Sequence, residues 1–203
     1  MSEIKKTRSE QKREAIIDAS VNAFQSFGVK ETSMDKIAEL AQVSKRTVYN
    51  HFASKEILVT EILSMQWQDA IIANDINYQK NIALDVQLKS LLDAELILLE
   101  NNEFIEMVRV ALGYFIHQSE LMCEYSEQFL KAETALKRWI NAAVKDKRLK
   151  QVDVDLANDY LVNFLKGQAF WPQILNREPP LSKLNRQRLI DDVTGMFLAY
   201  YQI

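Results

Sequence analysis

Residues 32–55 read TSMDKIAELAQVSKRTVYNHFASK, and the punctuation of this stretch decides the fold. Thr32 and Ser33 are helix-capping types, and Thr32 with Asp35 approximates a capping box. Met34, Ile37, Ala38 and Ala41 follow at helical spacing, so one face is apolar. Gln42 and Val43 form a turn. Ser44 caps a second helix, with Val43 and Val48 at the two positions of a hydrophobic staple. That helix, about 45–51, is too short and polar to persist alone and must lean on neighbours through Val48 and Phe52. Its other faces carry Lys45, Arg46, Thr47, Tyr49, Asn50 and His51, all hydrogen-bond formers. A short helix, a turn and a propped polar helix describe a helix-turn-helix. The major groove of DNA admits one α-helix, and its base edges offer donors and acceptors that these side chains answer. A solvated face of any small three-helix core is the bland alternative.

The same residues resemble the TetR family of bacterial repressors. The likeness lies in the run Thr32 to Ala38, the Val43-Ser44-Lys45 turn, and Thr47-Val48-Tyr49-Asn50-His51-Phe52 followed by Ser54-Lys55-Glu56. It covers about the first quarter of the chain by motif. Gln42 departs from the glycine frequent in the family's turn; a positive φ there would cost about 1 kcal/mol relative to Gly. Arg46 stands where a small residue is common, and reaches either a guanine edge or a phosphate.

Length and composition agree with long helices. The chain has 203 residues, with only four Gly and three Pro, too few for a β-rich or loop-rich protein. Net charge is −3, unlike an overall basic nucleic-acid binder. Up to Glu56, however, ten Lys or Arg face eight Asp or Glu, which leaves +2 on the head and −5 on the remainder. A mildly basic head on an acidic body suits DNA binding through the head. The single cysteine, Cys123, excludes an intramolecular disulfide and fits a reducing cytoplasm. No apolar run is long enough to span a bilayer, and the charged N-terminus lacks a signal-peptide core.

In chain order, a polar arm precedes a first helix from Thr7 or Arg8 to Phe27. Thr7 and Glu10 box its start, Ile16, Ala19, Ala23, Phe24 and Phe27 form its stripe, and Gly28 stops it. Ser54 caps a fourth helix to about Ala73, with Ile57, Leu58, Ile62 and Met65 as its buried face. A polar loop follows over 74–81, then a leucine-rich helix over 84–99 and another over 103–115. A long helix is expected over 119–147, broken near Tyr125-Ser126. Asp153 or Asp155 starts the next, which runs to about Asn176 and is kinked by Pro172. Arg177-Glu178-Pro179-Pro180 is a loop before a last helix over 184–201.

These readings give an all-α chain of about nine helices, with a three-helix helix-turn-helix DNA-binding domain over 1–53 (motif about 33–52) and a larger α-helical domain over 54–203. Lys45, Arg46, Thr47 and Asn50 are assigned to base or groove contact. Thr32, Tyr49, His51 and Lys55 are assigned to phosphate, with Ser33 and Ser44 as capping members of the DNA-binding set. The resemblance implies that the matching lysine and the start of the fourth helix grip phosphate, and that this helix joins head to body. Leu156, Tyr160 and Phe164 share one face, and Leu189, Val193, Met196, Phe197 and Tyr200 line the last helix. Pattern alone leaves core packing and self-pairing equal. The resemblance implies a homodimer through a four-helix bundle, and so a palindromic double-stranded DNA operator. The stretch 164–172, FLKGQAFWP, further resembles the C-terminal domain of the AefR-like branch.

The body is rich in large apolar residues, which at helical spacing are ordinarily core. The resemblance implies a small-molecule inducer, apolar or amphipathic, with Trp67, Phe104, Val108, Phe115, Met122, Trp139, Phe164 and Trp171 as the candidate lining. No cofactor, metal or membrane partner is expected. There is no glycine-rich phosphate loop, and His51 and His117 lack partners at ligand spacing. The expected function is a cytoplasmic bacterial transcriptional repressor, nucleoid-associated when bound, and not an enzyme. The rivals are a DNA-binding protein with a non-transcriptional role, and a helical carrier or enzyme with a vestigial head.

Overall fold

The computed structural model describes residues 7–73, 76–116 and 133–203. Within them the chain forms α1 (Arg8–Phe27), α2 (Met34–Leu40), α3 (Lys45–His51), α4 (Lys55–Ala73), α5 (Leu84–Leu99), α6 (Asn102–Phe115), α7 (Ala135–Lys145), α8 (Val154–Leu165), a π-helical turn (Lys166–Phe170), α9 (Trp171–Asn176) and α10 (Lys183–Tyr201). If α8, the π turn and α9 count as one bent helix, the described residues hold nine. The extended pairing among them is one isolated antiparallel bridge, Leu149 to Gln202.

Two compact units share the chain. One holds residues 1–66 and 106–127, the other 67–105 and 128–203, so α4 begins in the first and ends in the second.

In the first unit, the capping box at Thr7 forms in both directions, with Thr7 Oγ1 accepting from the Glu10 amide and Glu10 accepting from the Thr7 amide at 2.7 Å. Gly28, at φ 80°, ends α1. The α1 stripe differs from expectation at its end: Phe27 is exposed, and Ser20 is buried in its place, its hydroxyl donated to the Ile16 carbonyl at 2.6 Å. The cap of α2 is Ser33, which accepts from the Lys36 amide, rather than Thr32. The turn after α2 is a Schellman motif. Gln42 N–H donates to Glu39 O and Val43 N–H to Ala38 O, which places Gln42 at φ 54°. Ser44 then caps α3. Val48 and Phe52 are buried, and the Arg13 guanidinium lies 5.1 Å from the Phe52 ring centre while pairing with Glu61 at 2.8 Å. The inner face of α4 is Leu58, Val59, Ile62 and Leu63; Met65 is exposed and Ile57 half-buried, a rotation of about one residue from the expected face.

In the second unit, the expected break near Tyr125-Ser126 lies outside the described residues. Among the described ones Thr134, whose side chain accepts from the Lys137 amide, begins α7. Asp153 caps α8. The break associated with Pro172 lies upstream of it. A proline cannot donate to the carbonyl four residues back and its ring crowds that carbonyl. The helix widens to a π turn over Lys166–Phe170 and restarts with Pro172 in its first turn. The loop before α5 is tied down by Gln87, whose buried amide is fully used. It accepts from Gln79 N (2.8 Å) and Trp139 Nε1 (3.2 Å), and donates to Gln79 O (2.9 Å) and Ile82 O (2.8 Å). Arg186 of α10 clamps α5, donating to Asp93 and Glu100.

Replacing Gln42 by glycine should stabilise the protein. A left-handed L-residue costs about 1–2 kcal/mol, and glycine returns about 0.4–1 kcal/mol of that to unfolded-chain entropy. The expected net gain for Gln42→Gly is about 0.5–1 kcal/mol, read as a rise of about 2 °C in the thermal midpoint; a fall would mean that the side chain itself stabilises the turn.

Candidate nucleic-acid interface

The buried residues of α3 decide which side it shows. With Val48 and Phe52 turned inward, Lys45, Arg46, Tyr49 and Asn50, at spacings of one and four, emerge together on the exposed side. Thr47 and His51 flank them, half-buried. The Thr47 hydroxyl shares a 2.8 Å hydrogen bond with Ser44, so both are engaged in the helix start. His51 stacks obliquely near Phe52, with ring centres 6.4 Å apart.

Lys45 is not idle in the free protein. Its ammonium forms a two-pronged pair with Asp35 of α2, at 2.8 and 2.9 Å, and the hydrogen bond and charge of that carboxylate hold its pKa above the ordinary lysine value. Both partners are exposed, so exchange of Asp35 for a phosphate or base edge costs little. A spacing of ten residues does not show in sequence that the side chains of Asp35 and Lys45 meet.

Two residues assigned to phosphate are engaged within the protein itself. Thr32 is 1% exposed, and its hydroxyl donates inward, to Gly28 O at 2.8 Å and Ala23 O at 3.3 Å. The ammonium of Lys55 is occupied by three backbone carbonyls, Val29 O (2.8 Å), Lys30 O (3.2 Å) and Thr32 O (3.1 Å). Ser33 remains exposed at the start of α2.

A model of the TetR family of bacterial regulatory proteins matches residues 16–62, and a model of the AefR-like transcriptional repressor C-terminal domain matches residues 86–203. This chain belongs to the TetR family. It is similar to a TetR-family transcriptional regulator from Pseudomonas syringae pv. tomato, at 36% identity over 96% of this chain and 98% of that one, with a TM-score of 0.73. A putative TetR-family regulator from Mesorhizobium loti shares 25% identity over 98% and 100% of the two chains, with a TM-score of 0.81. The uncharacterized HTH-type transcriptional regulator YhgD of Bacillus subtilis is 25% identical over 85% of this chain and 88% of its own. This TetR-family protein is therefore a DNA-binding transcriptional regulator, and α2 and α3 are its helix-turn-helix.

In the body of the regulator, Trp139 is fully buried with its indole N–H given to Gln87. Phe164 and Trp171 are exposed, the latter edge-on to Phe170 at 5.0 Å. Phe104 is buried, and Trp67 and Val108 are half-buried. Met122 and the side chain of Phe115 lie outside the described residues. On the face of α8 and α10, Leu156, Tyr160, Phe164, Met196 and Tyr200 are exposed, whereas Val193 and Phe197 are buried inside the protomer and Leu189 is half-buried. Val193 contributes to two surface grooves of about 650 and 440 Å³ along this face. Sequence pattern did not single out Glu95 of α5 and Lys166 of the π turn. Burial pushes the Glu95 carboxyl up and the Lys166 ammonium down, each partly offset by the other's charge. Among the described residues no group of three or more His, Cys, Asp or Glu could share a metal ion, and no helix is long and apolar enough to cross a membrane.

Arg46→Ala is expected to alter which duplex sequences are bound, because a guanidinium on the exposed face pairs with guanine edges. Tyr49→Ala should instead weaken binding to all sequences alike, as loss of a backbone contact does. Selection of random duplexes by each variant separates the two; an unchanged preference for Arg46→Ala would remove it from base reading.

Proposed function

We propose that this regulator binds a palindromic operator as a homodimer, represses from it, and leaves it when a small apolar or amphipathic molecule occupies the body. The observation that carries the reading is the face of α3, where Lys45, Arg46, Tyr49 and Asn50 stand outward on a helix anchored by Val48 and Phe52. Lys45, Arg46, Thr47 and Asn50 read the groove; Tyr49 and His51 touch backbone; Ser33 and Ser44 hold the helix starts in place. The functional head is 1–53 and the body 54–203, with α4 as the continuous covalent link between them.

Two-fold pairing is supported by the exposed apolar set Leu156, Tyr160, Phe164, Met196 and Tyr200. A contiguous patch of this kind in water ordinarily has a partner. Val193 and Phe197 form its floor rather than its surface. Two heads then read two half-sites one helical turn apart, which is the origin of the palindrome. The inducer acts by differential affinity: it favours a body conformation whose heads are out of register with adjacent grooves. The body carries out no reaction, and the protein works on DNA in the bacterial cytoplasm.

Selection of bound fragments from the source genome tests the reading. The expected product is a set of short inverted repeats beside promoters; dispersed fragments without two-fold symmetry would defeat it. Phe164→Asp places a charge on the pairing face. It is expected to yield a monomer by light scattering and to lower operator affinity at least tenfold, since each head alone retains only half of the contacts. A Phe164→Asp protein that stays dimeric would relocate the interface.

A further inference from the structure

Glu95 interrupts the leucine face of α5. It stands four residues after Leu91 and four before Leu99, with Leu92 and Leu96 on the same side, and all four leucines are buried. The Glu95 side chain is half-buried on that face. α5 packs against the π turn, and Gln173 ties the two together by donating to Leu99 O at 2.9 Å and to Ala169 O. Lys166, the first residue of the π turn, is half-buried there too. Each charge offsets part of the other's burial, so the two heads face one space; Asp159 of α8 adds a smaller pull on the ammonium. Yet they form no hydrogen bond and no ion pair, with each other or with any other described residue. Other charged groups of α5 do otherwise: Asp93 and Glu100 hold Arg186, and Lys89 holds Asp191. Neither head is sealed from solvent. Half-buried charges without partners are costly, and folded chains keep them chiefly where something binds.

Resting on the reading that the body holds a small molecule, we propose that Glu95 and Lys166 bind its polar head, and that this head is a neutral hydroxyl, a phenol in the simplest case. An ammonium only donates and a carboxylate only accepts. One hydroxyl answers both, accepting from Lys166 and donating to Glu95. A carboxylate head would satisfy Lys166 and stand against Glu95 at like charge. An ammonium head would do the reverse. A purely apolar molecule would leave both heads without a partner. The setting suits a binding site. π turns inside helices occur often at functional sites. Gln173 fixes this one against α5, so Glu95 and Lys166 keep their separation before a ligand arrives.

The test measures the affinity of the full-length protein for four probes that share one apolar body: para-butylphenol, butylbenzene, para-butylbenzoate and para-butylbenzylammonium. The phenol is expected to bind about tenfold or more tightly than butylbenzene, as hydrogen bonds to charged groups allow, and more tightly than either charged probe. In Glu95→Leu and in Lys166→Met that preference should fall away, and the double variant should lose no more than either alone. Butylbenzene affinity should hold in all three, which shows that apolar binding is intact. Should a single variant fail to fold because one charge is left alone, the double variant, apolar at both positions, still reads the loss. Equal affinity for phenol and butylbenzene, preference for a charged probe, no binding of any probe, or a preference that survives in the double variant overturns the proposal. So does a loss of butylbenzene binding equal to that of the phenol, which would make the pair structural. Operator binding by the same preparations is measured in parallel. If it persists while the head-group preference fails, only this proposal falls; if no two-fold operator is bound, the regulator reading falls by itself.

Discussion

The helix that meets DNA is seven residues long, about half the length at which an isolated helix persists in water. Its existence depends on what surrounds it. Val48, with no exposed surface, and Phe52 at 2% supply the apolar anchor, Ser44 satisfies an orphan amide at its start, and the Arg13 guanidinium covers the far side of the Phe52 ring. Remove the anchor and the exposed set Lys45, Arg46, Tyr49 and Asn50 loses the rigid spacing that makes it a reading surface. The remaining parts of the head serve the same end. α2 ends in a turn that demands a left-handed residue, and Gln42 accepts that strain so that α3 leaves at a defined angle.

Polar side chains do a comparable job wherever the chain lacks its own secondary structure. Gln87 replaces three missing backbone partners for the loop over 76–83, and the Trp139 indole shares the same oxygen. Lys55 and Thr32 do this for the loop between α1 and α2. In both cases a buried or half-buried polar group spends most of its hydrogen-bonding capacity on backbone, which makes a loop behave as rigid structure. Such groups are easily mistaken for functional ones. A lysine at the start of a helix beside a DNA-reading motif invites a phosphate, and a tryptophan in an apolar body invites a ligand. Full occupation of their donors gives each a structural part in the folded chain.

Much of this was legible in the residues. The capping chemistry of Thr7, Ser44, Asp153 and the Gly28 stop is local, and a helix start depends on three or four neighbours in sequence; those boundaries fell where expected. The TetR membership was legible too, because the motif places a tyrosine, a His-Phe pair and a Ser-Lys-Glu cap at fixed spacing on one short segment. Boundaries that depend on a competition between equal neighbours were not. Ser33 and not Thr32 caps α2, because the hydroxyl of Thr32 is spent inside on α1 and its loop. The proline at 172 announced a break without telling that it would be taken up as a π turn before it.

The sequence by itself determined that this chain is helical, that residues 32–55 form a helix-turn-helix, and that Val48 and Phe52 face in while polar residues face out. Periodicity and capping are properties of neighbouring residues and need no fold to be read. Only the tertiary structure decided the partners: Asp35 for Lys45, three loop carbonyls for Lys55, Gln87 for Trp139, and the interior for Val193 and Phe197. Each of those pairs joins residues distant in the chain. Whether a donor is free for a ligand depends on which acceptors the folded backbone has already brought to it.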